Sequence, residues 1–333
     1  MNEKGVAAAI YESAVVWDMI WPWEPSLGNT WERLEDFATA GHTIVGVTIA
    51  GDNHTAGEAL KLLSAARNRI LAQPERFVLI ESVDDVLRAK ATRRLGIELH
   101  FEGTNCLDRD LTLIETFYKL GIRHTLLAFN LGNAVAGGCF ERSDGGLTKF
   151  GIKVVREMER VGMLLDLSHV GERSSLEAME IATKPVVFSH SNARALRDTL
   201  RNVSDQQAKQ CARLGGLIGI SGSSEYLGDP QCSSRTMLGH IRHLAELIGP
   251  EHVGIGFDVV FDQVSLTRWA RGRPEEWPMT LDPQWPGFTY AMPGQLFELA
   301  DLLLKDGFTE TQVRGILGEN YIRICRAVWQ PAR

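Results

Sequence analysis

Short apolar runs rich in β-branched residues alternate with longer amphipathic stretches along almost the whole chain. That alternation limits the fold more than any other feature. The runs are 14–20, 43–50, 97–102, 123–129, 163–168, 185–190, 216–221 and 252–258, with a further short run at 77–81 that reads as an extra strand or a connection. Between them lie helical patterns at 55–72, 108–121, 151–162, 174–182, 204–215 and 235–249. Gly121, Gly162, Gly215 and Gly249 each follow such a pattern, where a left-handed residue ends a helix. Ser174 with Glu177 reads as a capping box, and Ser204 or Asp205 as the cap of the next helix. Near-continuous apolar strands that alternate with helices predict a parallel sheet covered by helices. About eight such units in about 250 residues fit an α/β (β/α)8 TIM-type barrel. No GxGxxG follows the first run, which disfavours a dinucleotide-binding sheet. The expected organisation is a single barrel domain over 1–333. A long Pro- and Trp-rich loop at about 262–292 covers one mouth, and C-terminal helices follow at about 293–330.

Composition narrows the class of function. A net charge of −7, with no run of Lys or Arg, argues against a nucleic-acid or anionic-membrane partner. The first residues make a poor signal peptide, and nothing approaches the ~18 apolar residues of a membrane span. The cysteines (Cys106, Cys139, Cys211, Cys232, Cys325) are odd in number and lack CxxC spacing. They read as free thiols in a reducing compartment, with the cytoplasm as the expectation.

In such barrels the chemistry sits at the C-terminal ends of the strands. Reading those ends in order gives Glu102, then Phe129, Asn130 and Asn133, then Asp166 and His169, then His190, and finally Asp258. Two His and one Glu from three strands form a His2Glu set, one of the compositions of a catalytic zinc that keeps a position for water. Asp258, on a separate strand, suits a group that takes a proton from that water and hands it to a leaving amine. Each residue also has a plainer reading: the histidines as satisfied structural residues, Glu102 as a helix cap, Asp258 as a loop-ordering acid, Asp166 as an interior acid. His100 and His124 lie inside strands and read as packing residues. His54 is a remote candidate ligand, and Cys139 reads as packing.

The stretches "HFEGTNCL", "GGLTKFGIKVVREMERVGMLLDLSHV", "PVVFSHSNARAL", "RNVSD" and "HVGIGFD" resemble the membrane (renal) dipeptidase family in order and spacing, over about 14–330. The resemblance implies a barrel that is usually a homodimer and hydrolyses dipeptides at a two-zinc centre. It places metal ligands at His169 and His190, the carboxylate shared by both zincs at Glu102, and the acid/base at Asp258. Arg201 takes the position that binds the substrate carboxylate, a task suited to a planar guanidinium fork. Two departures stand out. The family's first strand ends Asp-Gly-His-x-Asp, whereas here Asp18 is followed by Ile20 and Pro22 at the ligand positions. The usual "LTH" is "LAF", which puts Phe129 where a histidine would contact substrate. Neither Ile nor Pro can bind metal, so one zinc is expected rather than two, beside a substrate pocket that includes Phe129 and Asn130. The reading is therefore a zinc hydrolase of a dipeptide or related N-acyl amino acid. The alternatives are a hydrolase of another amide or lactam-type substrate, and a non-catalytic relative that binds a small molecule.

Overall fold

The computed structural model describes residues 3–330. Its strands are β1 Trp17–Pro22, β2 Ile44–Gly51, β3 Phe77–Ile80, β4 Leu95–Glu102, β5 Ile122–Leu126, β6 Leu164–Asp166, β7 Val187–Phe188, β8 Leu217–Ile220 and β9 Val253–Ile255. All pairings are parallel, in the order β1-β2-β4-β5-β6-β7-β8-β9. Eight strands thus make a near-closed barrel, as the alternation predicts. The ninth, β3, pairs with the first half of β4 (Phe77 opposite Leu95, Ile80 opposite Glu98), and β5 takes over the same edge from Leu99. The run at 77–81 is therefore a strand outside the barrel circuit.

No ladder joins β9 to β1 among the described residues. A side chain bridges the seam instead. The backbone N–H of Phe257, just beyond β9, donates to Oδ1 of Asp18 on β1 at 2.9 Å. Asp18 is fully buried and its Oδ2 has no hydrogen-bond partner. Burial pushes its carboxyl up to about 7, against the N–H groups of Phe257 and Ile20, with the nearby Asp258 adding to the rise.

Helices cover the outside, and their ends follow the sequence signals. Gly162 (φ 88°) and Gly215 (φ 75°) take the left-handed conformation past their helices, as do Gly121 and Gly249. Ser204 caps the helix Asp205–Arg213 with Gln207 reciprocating, a true capping box. The Ser174–Glu177 pair is not one. That helix is Glu172–Ile181 with Gly171 as its cap, so Ser174 lies inside it. The Ser174 hydroxyl donates to Asp144, and Glu177 accepts from Leu147 N and Arg173. Both side chains fasten the preceding loop rather than the helix start.

The 262–292 segment is not a loop throughout. It forms a helix, Gln263–Arg271, capped by the Asp262 side chain on Ser265 N, and a 3-10 turn at Pro278–Leu281. It lacks a clear sequence period because its apolar residues (Leu266, Ala270, Trp277, Trp285, Phe288, Tyr290) form a small separate core of their own. That core seats this cap on the mouth of the barrel. The C-terminal helices run from Gln295 to Val328, and Tyr321, Ile324 and Val328 close the opposite end against Trp17 and Met19. All five cysteines are free and buried. No helix among the described residues is long and apolar enough to cross a membrane.

Candidate metal centre

Each candidate ligand sits at the same level because each leaves the top of a strand. Glu102 is the last residue of β4, and His169 and His190 lie on the turns after β6 and β7. Their donor atoms converge. Nε2 of His169 lies 2.9 Å from Nε2 of His190, and Oε1 of Glu102 lies 3.5 Å from the His190 nitrogen and 4.0 Å from that of His169. A tetrahedral zinc with bonds of about 2.0–2.2 Å spaces its ligand atoms by about 3.3–3.6 Å. The three atoms are thus already near the corners of such a polyhedron.

The tautomers agree with a cation there. Asn130 Nδ2 donates to the Glu276 carbonyl at 3.0 Å, which turns Oδ1 toward His169 Nδ1, 2.7 Å away. Nδ1 of His169 must then carry the proton, so its Nε2 presents a lone pair to the centre. Burial holds both imidazoles well below their usual range, with the Arg201 charge acting in the same direction. Burial likewise drives the Glu102 carboxyl well up, Asp258 adding to it and Arg201 opposing. Two half-buried carboxylates beside two buried imidazoles are a charge arrangement that a divalent cation completes.

The backbone is bent to achieve this. Asn130 (φ 56°), His169 (φ 64°) and Asp258 (φ 59°) all adopt the left-handed conformation, uncommon for residues with a Cβ. Gly219 and Gly256 help from below. A Cβ on either would lie 2.0 Å from the Ser189 carbonyl, so their bareness lets β8 and β9 close in on the turn that carries His190.

Glu102, His169 and Asp258 face a cavity of about 470 Å³ beneath the cap. Burial raises the Asp258 carboxyl to about 7, with Arg201 opposing the rise. Arg201 is buried behind the centre. One terminal nitrogen donates to Ser191 Oγ at 2.8 Å and the other to the His190 carbonyl at 2.7 Å, which leaves Nε unpartnered. The Tyr226 hydroxyl, on the cavity wall beneath the Arg201 guanidinium, is also unpartnered. Sequence reasoning passed over Tyr226 because it lies on a short helix, Ser224–Leu227, that shows no period. It also passed over Asp52, just beyond β2. The oxygens of Asp52 accept from Asn105 N, Phe129 N and the Asn133 amide and so tie together the turns after β2, β4 and β5.

The remaining candidates fall as follows. Phe129 stacks on the His169 ring at 4.2 Å and lines the cavity. Asn130 is not among the residues that line the cavity. It is fully buried, and both ends of its amide are engaged by His169 and Glu276, so it orients a ligand instead. Ile20 is fully buried, and Pro22 lines the cavity beside Trp23. His54 also borders the cavity, but its Nδ1 accepts from Gly51 N and it joins neither cluster of potential ligands. Cys139 packs with its sulfur 3.5 Å from Asn130 Oδ1.

Known proteins resemble this chain in sequence and fold. A family model described as Membrane dipeptidase (Peptidase family M19) matches residues 27–267. Dipeptidase 3 of Rattus norvegicus is 32% identical over 282 residues, 82% of this chain and 52% of that protein. An uncharacterized dipeptidase of Schizosaccharomyces pombe is 27% identical over 80% of this chain and 61% of its own. The chain thus spans only about half to three fifths of the length of these curated relatives. Among solved structures, an amidohydrolase from Pseudomonas aeruginosa superposes with a TM-score of 0.86 at 27% identity, covering 97% of this chain and 99% of that one. A metallo peptidase from Rhodobacter sphaeroides, liganded with a phosphinate mimic of L-Ala-D-Ala, shares the fold at TM-score 0.76 and 20% identity, covering 95% of this chain and all of its own. With the family model spanning most of the barrel, the chain belongs to the membrane dipeptidase family of metallohydrolases.

Proposed function

We propose that this chain is a zinc hydrolase with a single ion per barrel, which cleaves the amide bond of an N-acyl amino acid. The observation that carries this reading is the convergence of Glu102, His169 and His190 on one point, with Asp258 beside it on the same cavity. A divalent ion held there supplies Lewis acidity and lowers the pKa of water toward neutrality.

The chain's own groups do the rest. Asp258, raised to about 7, accepts a proton from the attacking water and returns it to the leaving nitrogen. The unpartnered Arg201 Nε and Tyr226 hydroxyl suit the free carboxylate of the leaving amino acid. The acyl side meets Pro22, Trp23, Phe129 and Trp277, and the same cavity is also bordered by Glu24, Asp52 and Glu276. Both an uncharged acyl group and the free ammonium of a dipeptide find matching groups on that lining.

Metal analysis of protein purified without chelator should give about one zinc per chain, and two would mean that β1 does not limit the centre. Turnover of N-acyl amino acids, compared with L,L- and L,D-dipeptides, tests the substrate. A D-residue belongs in the panel because the Rhodobacter sphaeroides relative takes an L-Ala-D-Ala mimic. Metal-loaded protein that turns over none of them favours a binding role instead.

A further inference from the structure

A second group of His and Glu lies inside the barrel, below the centre just described. Glu98, His100 and His124 are fully buried, with ligand-type atoms close to one another. Their ring geometry disfavours a shared ion. His100 and His124 stack with centroids 4.0 Å apart and planes 17° apart, so an ion in the plane of one ring lies well out of the plane of the other. Imidazole binds metal through an in-plane lone pair.

The group is instead joined to the centre above through Asp166. Oε1 of Glu98 is 3.1 Å from Nδ1 of His124, and Nε2 of His124 is 3.8 Å from Oδ2 of Asp166. Those last two atoms have no hydrogen-bond partner. The other oxygen of Asp166 accepts from Ser168 N at 2.9 Å and from Ser189 N at 3.0 Å. Ser168 and Ser189 are the residues immediately before His169 and His190. Oγ of Ser168 also accepts from His190 N at 3.1 Å, so one carboxylate oxygen and one hydroxyl clasp both ligand turns.

We infer that Asp166 is the positioning residue that sets the separation of the His169 and His190 nitrogens, and that the Glu98–His124 pair beneath it holds its charge in place. This rests on the metal reading above but assigns the ligand spacing to residues that touch neither ion nor substrate. Charges support it. Burial works against ionising Glu98, yet the two histidines outweigh burial and hold its carboxyl at about 2. Burial likewise works against a charge on His124, but Glu98 and Asp166 raise its pKa above the usual value. A buried imidazolium between two carboxylates can hold Asp166 where it lies without a direct hydrogen bond.

The test is a zinc titration against a chromophoric chelator, with cobalt absorption as a report on ligand geometry and thermal melting of the metal-free protein as a check on the fold. Asp166→Asn keeps an acceptor for the two N–H groups but loses the charge. It should bind zinc about tenfold more weakly, within the about 10- to 100-fold range for residues that orient ligands, and should change the cobalt spectrum. His124→Phe should weaken zinc several-fold, and the double variant should be no worse than Asp166→Asn alone, because both act through one link. A folded Asp166→Asn with wild-type zinc affinity overturns the inference. Should it not fold, His124→Phe decides in its place: a several-fold loss supports the inference, and wild-type affinity overturns it. A wild type that takes up no divalent ion overturns the metal reading and this inference with it.

Discussion

Two arcs of one barrel mouth, built by the same strand-and-turn unit, carry opposite chemistry. The end of β4 and the turns after β6 and β7 present a carboxylate and two imidazoles, the imidazoles held by hydrogen bonds to Asn130 and Ser189. The end of β1 presents Ile20 and Pro22, and the turn after β5 adds Phe129, so that arc is hydrocarbon. On the single-ion reading proposed above, the two halves of a two-metal architecture are separable. The carboxylate that could be shared between two ions remains useful to one, because its second oxygen is then free to face the cavity.

The comparison can be broken most severely on the polar arc. His190→Ala should leave a folded protein that no longer retains metal, checked by elemental analysis after gel filtration, with hydrolysis falling to background. Next in size, Asp258→Asn should keep its metal while kcat/KM falls by about 10²- to 10⁴-fold, the usual worth of a positioned acid/base. In the wild type, kcat/KM should fall as pH drops through about 7, because Asp258 must be ionised to accept a proton and its carboxyl is raised to that value. The variant should lack that acid limb.

On the apolar arc the expected effects are smaller and of opposite sense. Ile20→His with Pro22→Asp should raise the zinc content from about one toward two per chain and shift preference toward dipeptides with a free amine. An unchanged content would show that more than two side chains separate the arcs.

The smallest expected effect concerns stability. The Asp18 carboxyl is raised in the folded state, so the fold binds its proton more tightly than the unfolded chain does. The wild type therefore loses stability as pH rises from about 4 to about 7. Asp18→Asn keeps the acceptor for Phe257 N and avoids burying a charge. It should match the wild type near pH 4 and exceed it at pH 8 by roughly 2–4 kcal/mol, read by denaturant unfolding at both pH values.

Much of the barrel was legible because its strands are apolar on both faces and its helices end in glycine. Glu102, His169 and His190 could be picked out together because each ends or follows an apolar strand, and the fold brings their ligand-type atoms close to one another. What escaped depended on contacts far apart in sequence. Asp52 reads as one more acid in a turn, and only the folded chain brings it to Phe129 and Asn133, 77 and 81 residues away. The hydrogen bonds of Asn130 were out of reach for the same reason, since Glu276, 146 residues on, is what turns its amide toward His169. His100 and His124 were read as packing residues, and with their ionic partners Glu98 and Asp166 they span three strands, β4, β5 and β6.

The left-handed backbone at Asn130, His169 and Asp258 has a thermodynamic consequence. For a residue with a Cβ that conformation costs about 1–2 kcal/mol, somewhat less for Asn and Asp, and glycine would adopt it almost freely. At these places the chain would gain stability by giving up its side chain. On the proposed reading, the fold spends conformational free energy at the points where ligand, ligand orienter and proton acceptor lean toward the barrel axis. A barrel relieved of that chemistry would relax at these turns first.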